Sequence, residues 1–297
     1  MVLQHDVAVV VDSSSCLPPD LLRKWKITVV PHELIIDQRS FRDGVDIRPD
    51  EFYRLLAQKN SSNMTTSAPQ PGHFLEAFLA AGQHAPNVLC LTLSAQFSAT
   101  YRSACAAVEM ANGNIPYSNV QVVDSRAAAG GSGLIALAAA RWASMGLSLA
   151  QGVVNVDRLV PRVNLLAFLD TLRYLRRSGR IRRIEAWAGS LLRIKPLTEL
   201  RMGEARMLER PRSRAKATER LLHIMHQRAG NLPVTVNVME ADDPEDARAL
   251  SRRIESDFNC REIIVSQFTP VMGLHTGPGL LGVAFYTDDD SVDEPAS

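Results

Sequence analysis

Three times in the first half of the chain an unbroken apolar run ends in small polar residues and gives way to a helix-like pattern. The runs are VAVVVD before SSSCLPPDLLRKW, NVLCLTLS before AQFSATYRSACAAVEMAN, and NVQVVD before SRAAAGGSGLIALAAARWASMG. Continuous apolar strands suit a sheet covered on both faces. Alternating with helices, they predict a parallel sheet of βαβ units. Ligands of such sheets bind where strand carboxyl ends meet helix amino ends, and every hydroxyl cluster here falls at that edge. The densest holds Ser94, Ser98, Thr100, Tyr101 and Ser103, with no neighbouring base before Cys105 to make a nucleophile of any of them.

MTTSAPQPGHFLEAFLAAG adds a helix with Pro71 in its first turn, so Thr65, Thr66 and Ser67 are expected in a loop reaching the same edge. The second half reads differently. LLAFLD precedes the basic helix TLRYLRRSG, and IKPLTEL and EARMLER form two strands across a tight turn at Arg201, Met202 and Gly203. SRAKATERLLHIMHQRA is a helix capped by Ser213, PVTVNVME a strand, and DDPEDARALSRRIESDF a helix capped by Asp with Pro244 in its first turn. REIIVSQF and LLGVAFY are strands. The expected organisation is an α/β chain of two domains: 1–157 with a parallel sheet, 158–287 with a mixed sheet, and a disordered acidic tail at 288–297.

Charge excludes little and points nowhere in particular: 33 Lys and Arg stand against 32 Asp and Glu, which gives no global pull toward nucleic acid. Cys16, Cys90, Cys105 and Cys260 form no CxxC pair and read as small hydrophobes of a reducing compartment, with no metal site. MVLQHDVAVVVDSS is interrupted too early to be a signal peptide, and no apolar stretch reaches membrane-spanning length. A soluble cytoplasmic protein is expected.

Gly130-Gly131-Ser132-Gly133 is neither a nucleophile elbow nor a phosphate loop, since the last elbow glycine and the Walker lysine are both missing. It lets a helix begin close to a sheet or a ligand. Hydroxyls beyond those needed for capping, at helix ends that favour negative charge, suit a single anion such as a carboxylate. Gly277, Pro278 and Gly279 impose a tight loop after His275. Basic residues concentrate in Arg173–Arg183 and Arg201–Lys216, as a solvated face or as a docking surface.

VVDSSSCLP, TTSAPQPGHF, LSAQFSATYRSA, VVDSRAAAGGSGL, LDTLRYLRRSGRI, IKPL and HTGPGLLG, spread in this order from Val10 to Gly282, resemble the DegV family of bacterial lipid-binding proteins. The resemblance implies a two-domain DegV-like fold holding one long-chain fatty acid, its chain in an apolar tunnel and its carboxylate near the domain junction. It implies Thr66, Ser94 and His275 at the head group. It also implies a partner, a dihydroxyacetone-kinase-like fatty acid kinase that phosphorylates the bound carboxylate, so that this chain presents substrate without being an enzyme and needs no cofactor. A sixteen-carbon tail contributes on the order of 10 kcal/mol gross, which leaves the head only its hydrogen bonds to satisfy. The expected ligand contacts are Thr66, Ser67, Ser94, Ala95, Ser98, Gly130, Gly131, His275, Thr276 and Gly277. Arg173, Arg176, Arg180, Arg212 and Arg214 are the expected kinase-facing residues. The loop reads TSAPQ where TSQPS is usual, with Ala68 in place of an amide. Two other readings stand beside this one: a serine-dependent acyl hydrolase or transferase using Ser94 or Ser98 with His275, and a module that docks an acidic partner through its arginines.

Overall fold

The computed structural model describes residues 6–58, 63–111, 119–180 and 194–287. The expected tail at 288–297 and the end of the first arginine-rich stretch, 181–183, lie outside these residues. The chain opens with β1 (Val7–Asp12), a 3-10 turn (Ser13–Ser15), α1 (Pro19–Lys24), β2 (Thr28–Val30), β3 (Glu33–Ile36), β4 (Arg39–Arg42), α2 (Pro49–Gln58) and β5 (Met64–Ser67). It continues through α3 (Pro71–Gly82), β6 (Asn87–Thr92), α4 (Thr100–Ala111), β7 (Asn119–Asp124), α5 (Ala129–Ser144) and α6 (Leu149–Leu159). The second half is β8 (Asn164–Phe168), α7 (Arg173–Ser178), β9 (Leu197–Arg201), β10 (Glu204–Glu209), α8 (Arg214–Ala229) and β11 (Val234–Glu240), then α9 (Pro244–Asp257), β12 (Cys260–Gln267), α10 (Pro270–Thr276) and β13 (Leu281–Thr287).

The first half builds the parallel sheet β2-β1-β6-β7, all three pairings parallel. The second builds β10-β9-β8-β13-β11-β12, antiparallel except where β11 meets β12. The protein is thus α/β, with a parallel-sheet N-terminal part and a mixed-sheet C-terminal part. Helices α3 and α4 cover one face of the parallel sheet, and α8 and α9 cover the outer face of the mixed one. Between the sheets runs α5, packed on β1 on one side and on β8, β11 and β13 on the other.

That double contact explains the composition of α5. A helix wedged between two sheets must be thin where they approach, and AGGSGLIALAAARWAS starts with five residues none larger than serine. A Cβ on Gly133 would stand 2.8 Å from the Ser15 carbonyl, and one on Gly130 would stand 2.8 Å from Asn237 and Met239.

The mixed sheet divides its apolar residues by strand alternation. Along β8, Leu166 and Phe168 enter the layer under α8 and α9, while Leu165 and Ala167 face α5. The central parallel strands β1 and β6 bury both faces instead, which is why their runs are unbroken.

A third small sheet, β4-β3-β5, departs from the expectation: Thr65, Thr66 and Ser67 belong to a strand paired with β3, not to a loop. The β3–β4 hairpin turns at Asp37 and Gln38, both at positive φ (48° and 67°) without any glycine. Asp243 at the start of α9 makes no capping bond there; its carboxylate goes to Arg214. Among the described residues no helix is long and apolar enough to cross a membrane, and no group of three or more His, Cys, Asp or Glu is placed to hold a metal.

Candidate functional site

A cavity of about 400 Å³ lies between the two sheets, near the carboxyl edge of the parallel one. This is within the usual size of small-molecule sites, roughly 300 to 1,000 Å³. Its apolar floor is the α5-facing side of the mixed sheet: Leu165, Ala167 and Leu169 at alternate positions from β8 onward, with Leu200 and Ala205 from the next hairpin. Ala167 and Ala205 leave space among these leucines. Gly282 pairs with Ala167 and has no room for a Cβ, which would stand 2.7 Å from the Ala167 Cβ and 2.6 Å from the Leu166 carbonyl.

One region of the wall is polar. Strand β5 brings Thr66 to His275 in the last turn of α10, with Thr66 Oγ1 2.9 Å from His275 Nε2. Ser67 and Thr276 line the same cavity. The expected HTGPG loop is helical through Thr276, and only from Gly277 does it turn. Burial, reinforced by the nearby charges of Arg180, His32 and Arg177, pushes the His275 pKa down to about 4. The ring is therefore neutral at neutral pH, one nitrogen a donor and the other an acceptor. Its Nδ1 is buried and has no partner among the described residues.

A stability signature follows from that shift. The unfolded chain takes a proton on His275 near pH 6.5, the folded one only near pH 4. Folding stability is therefore expected to decline as pH falls through this window. Urea midpoints across it should show the decline, and His275→Gln should flatten that part of the slope.

Ser98 forms a second polar point. Its Oγ is 2.7 Å from Thr100 Oγ1, which is 3.0 Å from Nε2 of the buried His32. His32 also lines the cavity. So does Arg180, whose guanidinium donates to the Phe97 carbonyl at 3.3 Å. Where neutral donors alone were expected, the described wall thus holds Arg180 among hydroxyls and imidazoles, together with the Glu199 carboxylate, which is ion-paired to Arg206 and Arg228.

A family model described as "Uncharacterised protein, DegV family" matches residues 6–288. The chain belongs to the DegV family. A DegV domain-containing protein of Streptomyces coelicolor is 35% identical over 283 residues, 95% of this chain and 98% of that one. Among solved structures, a DegV family protein from Thermus thermophilus described as fatty-acid binding is 30% identical, with a TM-score of 0.88 over 95% of this chain and all of that one (100%). A stearic-acid-binding protein from Eubacterium ventriosum is 26% identical, with a TM-score of 0.85 over 95% and 98% of the two chains.

In this DegV chain five of the expected ligand residues meet on the cavity wall: Thr66, Ser67, Ser98, His275 and Thr276. The other five do not line it. Ser94 is wholly buried, its Oγ accepting the Gln96 N–H at 3.3 Å. Gly203 of the β9–β10 turn sits so close that a Cβ there would be 2.9 Å from the Ser94 hydroxyl. Ala95 is exposed and donates its N–H to Asp124. Gly130 and Gly131 serve helix-to-sheet packing, against Asn237 and Met239 and against Leu165 and Val163. Gly277, at φ 80°, makes room for the ring of Tyr174.

The arginines divide as well. Arg173, Arg176 and Arg212 line a surface hollow together with Lys195 and Arg177. Arg214 is engaged within the fold: it binds Asp170 at 2.9 Å, Asp246 at 2.8 Å, the Gly279 carbonyl at 2.7 Å, and Asp243. It ties the starts of α8 and α9 to the HTGPG turn and is not a free docking group. His275 bonds Thr66, and Ser98 bonds Thr100, so the serine–histidine pairing of a hydrolase is not assembled. His32 was not singled out from the sequence; the signal was a histidine amid the apolar run VVPHELII.

Proposed function

We propose that this chain binds one long-chain fatty acid, tail in the cavity and carboxylate at the Thr66–His275 and Ser98 wall, and presents it to a partner kinase for acyl-phosphate formation. The observation that carries the reading is a cavity with a largely apolar lining into which the hydroxyl residues Thr66, Ser67, Ser98 and Thr276 are brought from separate segments. The Thermus thermophilus and Eubacterium ventriosum relatives, described as fatty-acid binding, support it. With His275 Nε2–H donating to Thr66, the threonine O–H is free to donate to a carboxylate. Arg180 adds a charge that favours an anion. In this reading residues 1–157 supply most of the head-group loops, and residues 158–287 complete the acyl pocket.

Phosphoryl transfer belongs to the kinase, with this chain as carrier and not as enzyme. Arg173, Arg176 and Arg212 are its proposed docking residues, and a nucleotide-using partner puts the encounter in the cytoplasm. Lipid extracted from the purified, non-denatured protein and identified by mass spectrometry is expected to contain one fatty acid per chain. Delipidated protein that takes up neither palmitate nor oleate would refute the reading. A fluorophosphonate probe is expected to leave Ser94 and Ser98 unlabelled, whereas stoichiometric labelling would favour the hydrolase.

A further inference from the structure

His32 stands between β2 and β3, is 3% exposed, and touches the cavity. Its two ring nitrogens face opposite kinds of neighbour. Nδ1 lies 3.3 Å from Ser13 Oγ and 3.7 Å from Asp12 Oδ1. Ser13 gives its single proton to Asp43 Oδ2 at 2.6 Å and accepts the backbone N–H of His32 at 3.1 Å. Toward Nδ1 the serine is therefore an acceptor, and so is the Asp12 oxygen, which already takes the Ser14 N–H at 3.0 Å. Both neighbours call for a proton on Nδ1.

The state of Nε2 then decides the direction of everything beyond it. A neutral imidazole with its proton on Nδ1 leaves Nε2 an acceptor, so Thr100 donates to it across 3.0 Å. Thr100 has no second proton, so Ser98 donates to Thr100 across 2.7 Å and turns only a lone pair toward the cavity. In the imidazolium, Nε2–H donates to Thr100, Thr100 donates to Ser98, and the Ser98 proton becomes free for a ligand. The Thr100 N–H donates to Ser98 Oγ at 3.2 Å in both cases and does not alter the count.

We propose that His32 is a positioning residue: through Thr100 it sets whether Ser98 offers the cavity a lone pair or a proton, and a carboxylate binds together with a proton taken up on His32. The inference rests on the fatty-acid reading above and adds to it a linked proton. The groups that face His32 are Asp12 and Asp43 on the buried side and His275 across the cavity, with Arg180 acting on His275 in turn. His275 itself, pushed down to about 4, stays neutral over the range in which an ordinary histidine titrates, between about pH 5 and 8.

The test is titration calorimetry of the delipidated protein with dodecanoate and with dodecanol, in buffers of different ionisation enthalpy. Dodecanoate is expected to bind with net proton uptake and to lose affinity by up to tenfold per pH unit, about the limit for one linked proton, as pH rises. Dodecanol, itself a donor, is expected to bind without uptake. His32→Gln should bind dodecanoate more weakly, with no uptake and a flat pH profile. Nitrogen-15 spectra of the wild-type imidazole should show the Nδ1–H tautomer alone and double protonation with dodecanoate, a readout that needs no variant. One-to-one dodecanoate binding without proton uptake, or uptake that survives His32→Gln, would overturn the proposal. Failure to bind either probe would instead overturn the fatty-acid reading beneath it.

Discussion

Ala167→Phe is expected to lower fatty-acid affinity a hundredfold or more while the protein stays folded. Ala167 lies on β8 with its Cβ toward the cavity, flanked by Leu165 and Leu169 on the same face. Because Ala167 lines the cavity, a larger group there is expected to grow into the space proposed for the acyl chain. A benzyl group occupies the room of about four methylenes, and at about 0.8 kcal/mol each their exclusion costs about 3 kcal/mol, or roughly a hundredfold. If the ring enters the cavity, as expected, unfolding free energy should change by no more than about 1 kcal/mol. Palmitate titration and thermal unfolding of the same preparation separate the two effects. Affinity within threefold of wild type would place the tail elsewhere. A collapse of the melting temperature would mean that the space is not free.

The parallel sheet was legible because its strands are continuous apolar runs and because α1 and α3 each start on a proline. In the mixed-sheet part, Ser213 caps α8 by accepting the Lys216 N–H, and the β9–β10 turn has its left-handed residues at Met202 and Gly203. The small sheet carrying Thr66 was not legible, since its hairpin turns on Asp37 and Gln38 with no glycine to announce a positive φ. Site residues divided along the same line. Thr66 and His275 are more than two hundred positions apart (209) and meet only because β5 pairs with β3 while α10 packs across both. No local pattern reports that. Ser94, expected at the head group from the resemblance, and Gly130 do not line this cavity, and small residues at a strand end admit either a ligand or another part of the chain. Here the second sheet's turn and strands took the space. Arg180, grouped by sequence with a surface cluster, follows the left-handed Gly179 at the end of α7 and reaches the cavity wall. His32 shows how charge partners hide: Asp12 and Asp43 flank it in space from two separate strand ends.

Asp12→Ala should be the most damaging single change at the sheet edge, lowering the free energy of unfolding by about 3 to 5 kcal/mol. Asp12 ends β1, is 1% exposed, and gathers three donors. Oδ1 accepts the Ser14 N–H at 3.0 Å and the Ser14 hydroxyl at 2.5 Å, and Oδ2 accepts the Leu93 N–H at 2.6 Å. The first bond starts the 3-10 turn after β1, and the last binds that turn to the segment leaving β6. Alanine would strand two buried backbone N–H groups, each costing about 1 to 3 kcal/mol when unpaired, and would remove the carboxyl facing His32. Asn, keeping one acceptor but adding an N–H beside existing donors, should fall between wild type and alanine. Guanidinium unfolding measures all three. A loss below about 1 kcal/mol for the alanine variant would mean that water reaches the edge and replaces the carboxylate. The same arithmetic explains the serines of VVDSSS: Ser13 bonds Asp43 and Ser14 bonds Asp12. Hydroxyls at the ends of parallel strands thus serve two purposes: the buried ones bind loop to loop, and Ser98, on the cavity wall, stands where the proposed ligand can use it.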